Sequence, residues 1–111
     1  MTEQEKNEKL ARFLGFKKHP LDGWVSPDGF QYSIPDFLHD LTTLFKWAVP
    51  ELRRRGYDYA LFGCYGGKHK AEIIKLMEDE WAELATYAIA DEPAQALFEA
   101  IEKLIEMEEV L

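Results

Sequence analysis

Between Gly23 and Asp40 the chain reads Gly-Trp-Val-Ser-Pro-Asp-Gly-Phe-Gln-Tyr-Ser-Ile-Pro-Asp-Phe-Leu-His-Asp, and this punctuation constrains the fold more than any other stretch. Proline presets a turn dihedral and lacks a backbone donor, and glycine admits positive φ, so Pro27-Asp28-Gly29 predicts a chain reversal that no helix or strand runs through. Trp24 and Val25 before the turn, with Phe30 and Tyr32 after it, predict two short strands. Ser33 and Pro35 then mark the start of a helix. Phe37, Leu41, Leu44, Phe45, Ala48 and Leu52 recur at three- and four-residue steps along one side of it. Pro50 falls inside that pattern and predicts either a kink, placed near Lys46 to Ala48, or a new helix before Gly56 ends it.

The flanks supply the remaining elements. Thr2-Glu3-Gln4-Glu5 reads as a capping box, and Leu10, Phe13 and Leu14 give its helix one apolar edge that ends before Gly15. Tyr57 to Tyr65 reads as a strand, with Tyr59, Leu61, Gly63 and Tyr65 on one face and Ala60, Phe62 and Cys64 on the other, followed by a Gly66-Gly67 hairpin turn. Residues 70 to 89 admit two readings. Ile74, Met77, Trp81, Leu84 or Ala85, and Ala88 fit a helical stripe, which the periodicity alone favours; the acidic Glu78-Asp79-Glu80 fits a turn between strands over 70–77 and 81–89. Asp91-Glu92-Pro93 opens a last helix that directs Leu97, Ala100, Ile101 and Leu104 to the core, with Phe98 and Ile105 widening its apolar surface.

At 111 residues, 47% hydrophobic and 14% aromatic, the chain is long enough for one packed core and too apolar for disorder. Residues 1–111 therefore read as one domain, with a short polar start and an acidic end over 106–111. The single cysteine, Cys64, excludes an internal disulfide. A polar start without a basic and then apolar segment excludes a signal peptide, so the expected compartment is the cytoplasm. No apolar run approaches the roughly 20 residues that span a bilayer. The net charge of -8 opposes general nucleic-acid binding, which depends on phosphate neutralisation. The charge is uneven, however: residues 46–70 sum to +4 and residues 71–111 to -10.

Taken in order, a short helix, Trp24 near a Pro-Asp-Gly turn, Pro35-Asp36-Phe37 with Asp40, a helix ending in Gly56, a hairpin-rich middle and Ala-Asp-Glu-Pro-Ala-Gln-Ala-Leu over 90–97 resemble the phage ABA sandwich domain family along nearly the whole chain. That resemblance implies a layered α/β/α fold in a small phage or prophage protein with no established activity. It also implies that the segment before the last helix is strand, which selects the hairpin over 70–77 and 81–89. The expected fold is α+β, an antiparallel sheet with the central and C-terminal helices against it.

Two clusters are candidate sites. Asp36, His39 and Asp40 share a face if helical, a carboxylate–imidazole–carboxylate set suited to a divalent metal and, in turn, to a metal-assisted hydrolase; the helix dipole explains Asp36 equally well. Arg53, Arg54 and Arg55 end one helix, and Lys68, His69 and Lys70 follow a glycine turn; together they form a prospective basic patch for an anionic small molecule or nucleotide signal, or simply complement a helix C-terminus. Trp24, Trp47 and Trp81 read as packing or interface anchors, and Cys64 as an inert thiol. No phosphate loop, dinucleotide fingerprint, nucleophile elbow or metal-binding Cys/His spacing is present, so no catalytic residue and no cofactor is assigned. The expected function is a non-catalytic interaction module with a protein or small-molecule partner. The apolar excess of the second and third helices, including Trp47, Phe98 and Ile105, is consistent with a homodimer.

Overall fold

The fold begins where the capping box places it. A computed structural model describes residues 1–21, 23–30, 33–78 and 82–110. In it the Thr2 hydroxyl accepts the Glu5 backbone N–H at 3.1 Å at the start of helix α1, Glu3–Phe13. Strand β1, Lys17–Lys18, follows and pairs antiparallel with β2, Trp24–Val25. This corrects one expectation, because Trp24 and Val25 pair backwards along the chain with Lys18 and Lys17, and Phe30 beyond the turn is in no strand. The Pro-Asp-Gly turn itself is present: Gly29 N–H donates to Ser26 O at 3.0 Å, and the Asp28 carboxylate accepts from Phe30 N–H at 3.0 Å and from the Ser26 hydroxyl. Those bonds hold Asp28 below the ordinary carboxylate range, the Ser26 contact contributing most. They direct the chain away from the hairpin, and Phe30 lies exposed beyond it. Tyr32 lies outside the described residues.

Helix α2 spans Leu41–Arg54, later than Ser33 and Pro35 suggested. Asp40 is its N-cap, in extended backbone, and accepts the Thr43 N–H at 3.2 Å. The preceding turn is satisfied from outside: Asn7 of α1 accepts the N–H groups of Phe37 and Leu38 at 3.1 and 3.2 Å. Donors met by a neighbouring helix have no need of a helical turn of their own. Pro50 stays inside one continuous helix.

The main sheet is three antiparallel strands in the order β3–β4–β5: Tyr57–Gly63, His69–Leu76 and Ala82–Ala90. The segment 70–89 is thus the hairpin, not the helix its periodicity favoured. Trp81 and most of the acidic turn lie outside the described residues. Buried Ala71 and Ile73 alternate along β4, and Thr86, Ala88 and Ala90 along β5, at the two-residue period of a half-buried strand. Ala85 is the extra residue where the register shifts between Ile73 and Ile74. Tyr65 leaves the sheet for a single 3-10 turn over Tyr65–Gly67, where Gly66 and Gly67 take φ of 78° and 75°, conformations a side chain would strain.

Helix α3, Pro93–Val110, lies over β4 and β5 while α2 covers β3. Phe45 packs on Tyr59 with ring centroids 5.5 Å apart, and the buried Thr86 hydroxyl donates to Ala100 O at 2.7 Å. Leu10 of α1 lines a small recess with Phe98 and Ile105 of α3, and all three belong to the buried cluster. One hydrophobic cluster unites all three helices with β4 and β5, and Phe16 stacks edge-on against both Phe37 and Trp47 within it. The result is the expected α+β layering, an antiparallel sheet against central and C-terminal helices.

Candidate functional site

The basic residues are dispersed and paired. Arg53, Arg54 and Arg55 lie at the Tyr57 end of β3, whereas Lys68, His69 and Lys70 lie at its Gly63 end. Six residue steps at about 3.3 Å separate the two groups by roughly 20 Å along the strand, too far for one phosphate. Each cation besides has an acid. Arg54 grips Glu51 through two bonds of 2.9 and 2.5 Å, and Arg55 reaches Glu51 at 2.8 Å and Glu108 of α3 at 2.9 Å. Arg53 lies 3.4 Å from Asp58, Lys68 pairs with Asp91, and Lys70 lies 3.6 Å from Glu72. His69 is half-buried within β4, opposite Gly63 and Ala90. The arginines are fasteners: Arg55 also covers the Phe13 ring at 4.0 Å, so the end of α2 is tied to α1 and α3 together. Hydrogen bonds from Arg54, then Arg55, hold the Glu51 carboxyl down from its ordinary 4.5 to about 2.

Asp36, His39 and Asp40 do not converge on a common point. Asp36 accepts the His39 backbone N–H at 3.3 Å and Asp40 caps α2, while the His39 ring turns to Glu3 of α1 at 3.3 Å and to Glu92, just before α3, at 3.8 Å. The Glu3 hydrogen bond is the main cause of a raised His39 pKa. Among the described residues no group of three His, Cys, Asp or Glu side chains is placed to hold a metal ion. The turn is a junction between α1, α2 and α3, and its polar residues serve that junction. Beside it, a shallow cleft of about 500 Å³ is walled by Glu3, Glu8, Trp24, Pro35 and Asp36.

The apolar surface assigned to helices also changes place. Phe98 and Ile105 are 1% and 6% exposed, and Trp47 packs on Phe16, so the surface that suggested self-association is spent inside the molecule. The uncovered apolar surface is on the sheet. Alternation turns Ala60 and Phe62 of β3, Ile74 and Leu76 of β4, and Leu84, Tyr87 and Ile89 of β5 away from the helices. Phe62, Leu76, Leu84, Tyr87 and Ile89 are each between 46% and 53% exposed. An antiparallel sheet open on one side ordinarily alternates apolar inward with polar outward; here both faces are apolar. Lys70 and Glu72 stand mid-face on β4, and the Lys70 ammonium lies 5.2 Å from the Tyr87 ring centre.

Sequence reasoning missed this face because the hairpin itself was ambiguous, although Leu-Ala-Thr-Tyr-Ala-Ile-Ala over 84–90, once read as strand, is apolar at both parities. It also missed Asn7, an ordinary polar residue in a helix pattern. No helix among the described residues is long and apolar enough to cross a membrane. No protein-family model matches the chain, and neither a curated protein nor a solved structure matches it.

Proposed function

We propose that the protein is a small non-catalytic interaction module, an accessory protein of the phage or prophage type that its sequence resembles, acting in the cytoplasm through the open face of the β3–β4–β5 sheet. The observation that carries this reading is the row of half-exposed Phe62, Leu76, Leu84, Tyr87 and Ile89 on a face no helix covers. Completing the burial of five half-buried side chains returns about 1 kcal/mol each, a gross gain that association costs reduce substantially. Phe62 and Tyr87 on the outer strands flank a central Lys70–Glu72 pair, and aromatic residues are enriched in protein contact surfaces. That Arg53, Arg54, Arg55, Lys68 and Lys70 each have an acidic partner within the chain favours this reading over the alternative of an anion-binding role.

The test is site-specific photocrosslinking in cells, with a photoreactive amino acid at position 87 or 89 and, as control, at position 17 in β1. Discrete adducts from positions 87 and 89, absent from position 17, support the reading. Equal labelling everywhere, or none on the sheet face, removes it.

A further inference from the structure

Resting on the proposal that this sheet face is the contact surface, we infer that its occupant is a second copy of the chain, packed face to face about a two-fold axis that runs across the strands. The register carries the pairing. Phe62, Lys70 and Ile89 form one cross-strand row on the open face, and Ala60, Glu72 and Tyr87 form the next. A two-fold axis lying in the interface between these rows sets each row of one copy against the other row of its mate. Lys70 then faces Glu72, the large Phe62 falls on the small Ala60, and Tyr87 lies against Ile89. Every position in the two rows meets a complement, which is what an isologous interface demands of a single patch. Two sheets packed in this way lie about 10 Å apart and roughly 30° from alignment, a spacing that side chains of these sizes fill.

Charge restricts the choice of face as well. The chain carries -8 overall, so two copies repel across most of their surfaces. On the open face Lys70 is 3.6 Å from Glu72 and Asp58 is 3.4 Å from Arg53, while the Lys103 ammonium reaches to 5.4 Å from the Tyr87 ring centre at the β5 edge. The alternative of joining sheets edge to edge through β5 is obstructed, because Lys103 from α3 donates to the Tyr87 backbone oxygen at 2.8 Å. A lysine on a strand edge is a recognised guard against strand addition. About that axis the two copies overlap only at the Gly63 end of the face, over roughly 14 by 13 Å at about 4.8 Å between strands and 3.3 Å per residue, and Ile74, Leu76 and Leu84 lie beyond the overlap. That is far smaller than the roughly 800 Å² per partner of a standard interface, so the dimer is weak.

Sedimentation velocity on the whole chain from about 10 μM to 1 mM, a range that reaches weak association, reads the equilibrium. Wild type shifts from monomer towards dimer across the range. Lys70→Glu sets Glu against Glu across the interface and Glu72→Lys sets Lys against Lys, so each variant alone loses at least tenfold in association. An equimolar mixture of the two recovers it, because the acidic pair of one faces the basic pair of the other, although within each chain the 70/72 pair stays like-charged. Only contact between copies produces that recovery, and circular dichroism of the two variants checks that both are folded. A wild type that stays monomeric at 1 mM overturns the second copy, as does a dimer indifferent to both substitutions or a mixture that does not recover. If the photocrosslinks at 87 and 89 then join a different protein, the face stands and only its occupant is wrong; if they are absent too, the interaction reading falls with it.

Discussion

Removing the Glu51 carboxylate tests whether the arginines at the end of α2 are structural. Glu51 is partly buried and accepts two bonds from Arg54 and one from Arg55, which in turn holds Glu108 and covers Phe13. Its carboxyl is held at about 2 against an ordinary 4.5, and at 1.36 kcal/mol per unit that displacement sets a ceiling of about 3 kcal/mol. The Arg54 side chain is 68% exposed, and solvent screening of its head reduces the contribution, so Glu51→Gln is expected to cost about 1 to 2 kcal/mol at pH 7. For a chain of this length each kcal/mol moves Tm by about 4 °C, so Tm falls by about 4 to 8 °C. The sign with pH follows from the direction of the shift. A folded pKa below the unfolded one contributes stability that is complete above the unfolded value and lost as pH falls through the folded value. The gap between wild type and Glu51→Gln is therefore full at pH 7, begins to close near pH 5 and is largely gone by about pH 2. Urea denaturation of both proteins across this range is the assay. No deficit at pH 7, or one that persists unchanged in acid, refutes the reasoning and frees the arginines for another role.

His39 has the opposite sign: with its pKa raised by the Glu3 hydrogen bond, its contribution is full below the unfolded value and lost as pH rises through the folded one, and an NMR titration should place it above 6.5 and lower it in Glu3→Gln. Asp40→Ala removes the cap of α2 and should cost about 1 kcal/mol in thermal denaturation, whereas Asp36, His39 and Asp40 together should give no stabilisation by excess zinc or manganese. Ile73 is fully buried under α3, so Ile73→Ala should cost about 2 to 4 kcal/mol, measured by urea denaturation with an unchanged slope.

How far the chain can be read without its fold varies by element. The capping box of α1, the Pro-Asp-Gly turn, the glycine turn at 66 and 67, and the proline-led start of α3 were legible because each depends on bonds within a few residues. The start of α2 was misplaced because the donors of Phe37 and Leu38 are met by Asn7, thirty residues earlier in the chain. β2 was paired forwards because a two-residue strand carries too little pattern to name its partner. Residues 70–89 carry both periodicities, and what makes them strands is the row of Ala71, Ile73, Thr86 and Ala88 beneath α3, a surface that no local signal contains.

Backbone dihedrals, short-range hydrogen bonds and side-chain period within the sequence set the turns, the caps, the helices and the first long strand and left no motif-based chemistry, whereas the strands over 70–89, and with them the antiparallel sheet, followed only from the family resemblance and against the local period. The tertiary structure alone decided which charges meet. It separated Arg53, Arg54 and Arg55 from Lys68, His69 and Lys70 by the length of β3 and gave His39 to Glu3 and Glu92. It also moved the uncovered apolar surface from the helices to the outer face of the sheet, because α2 and α3 lie on one side of the three strands and bury Phe98 and Ile105, while Phe62, Tyr87 and Ile89 on the other side stay about half exposed.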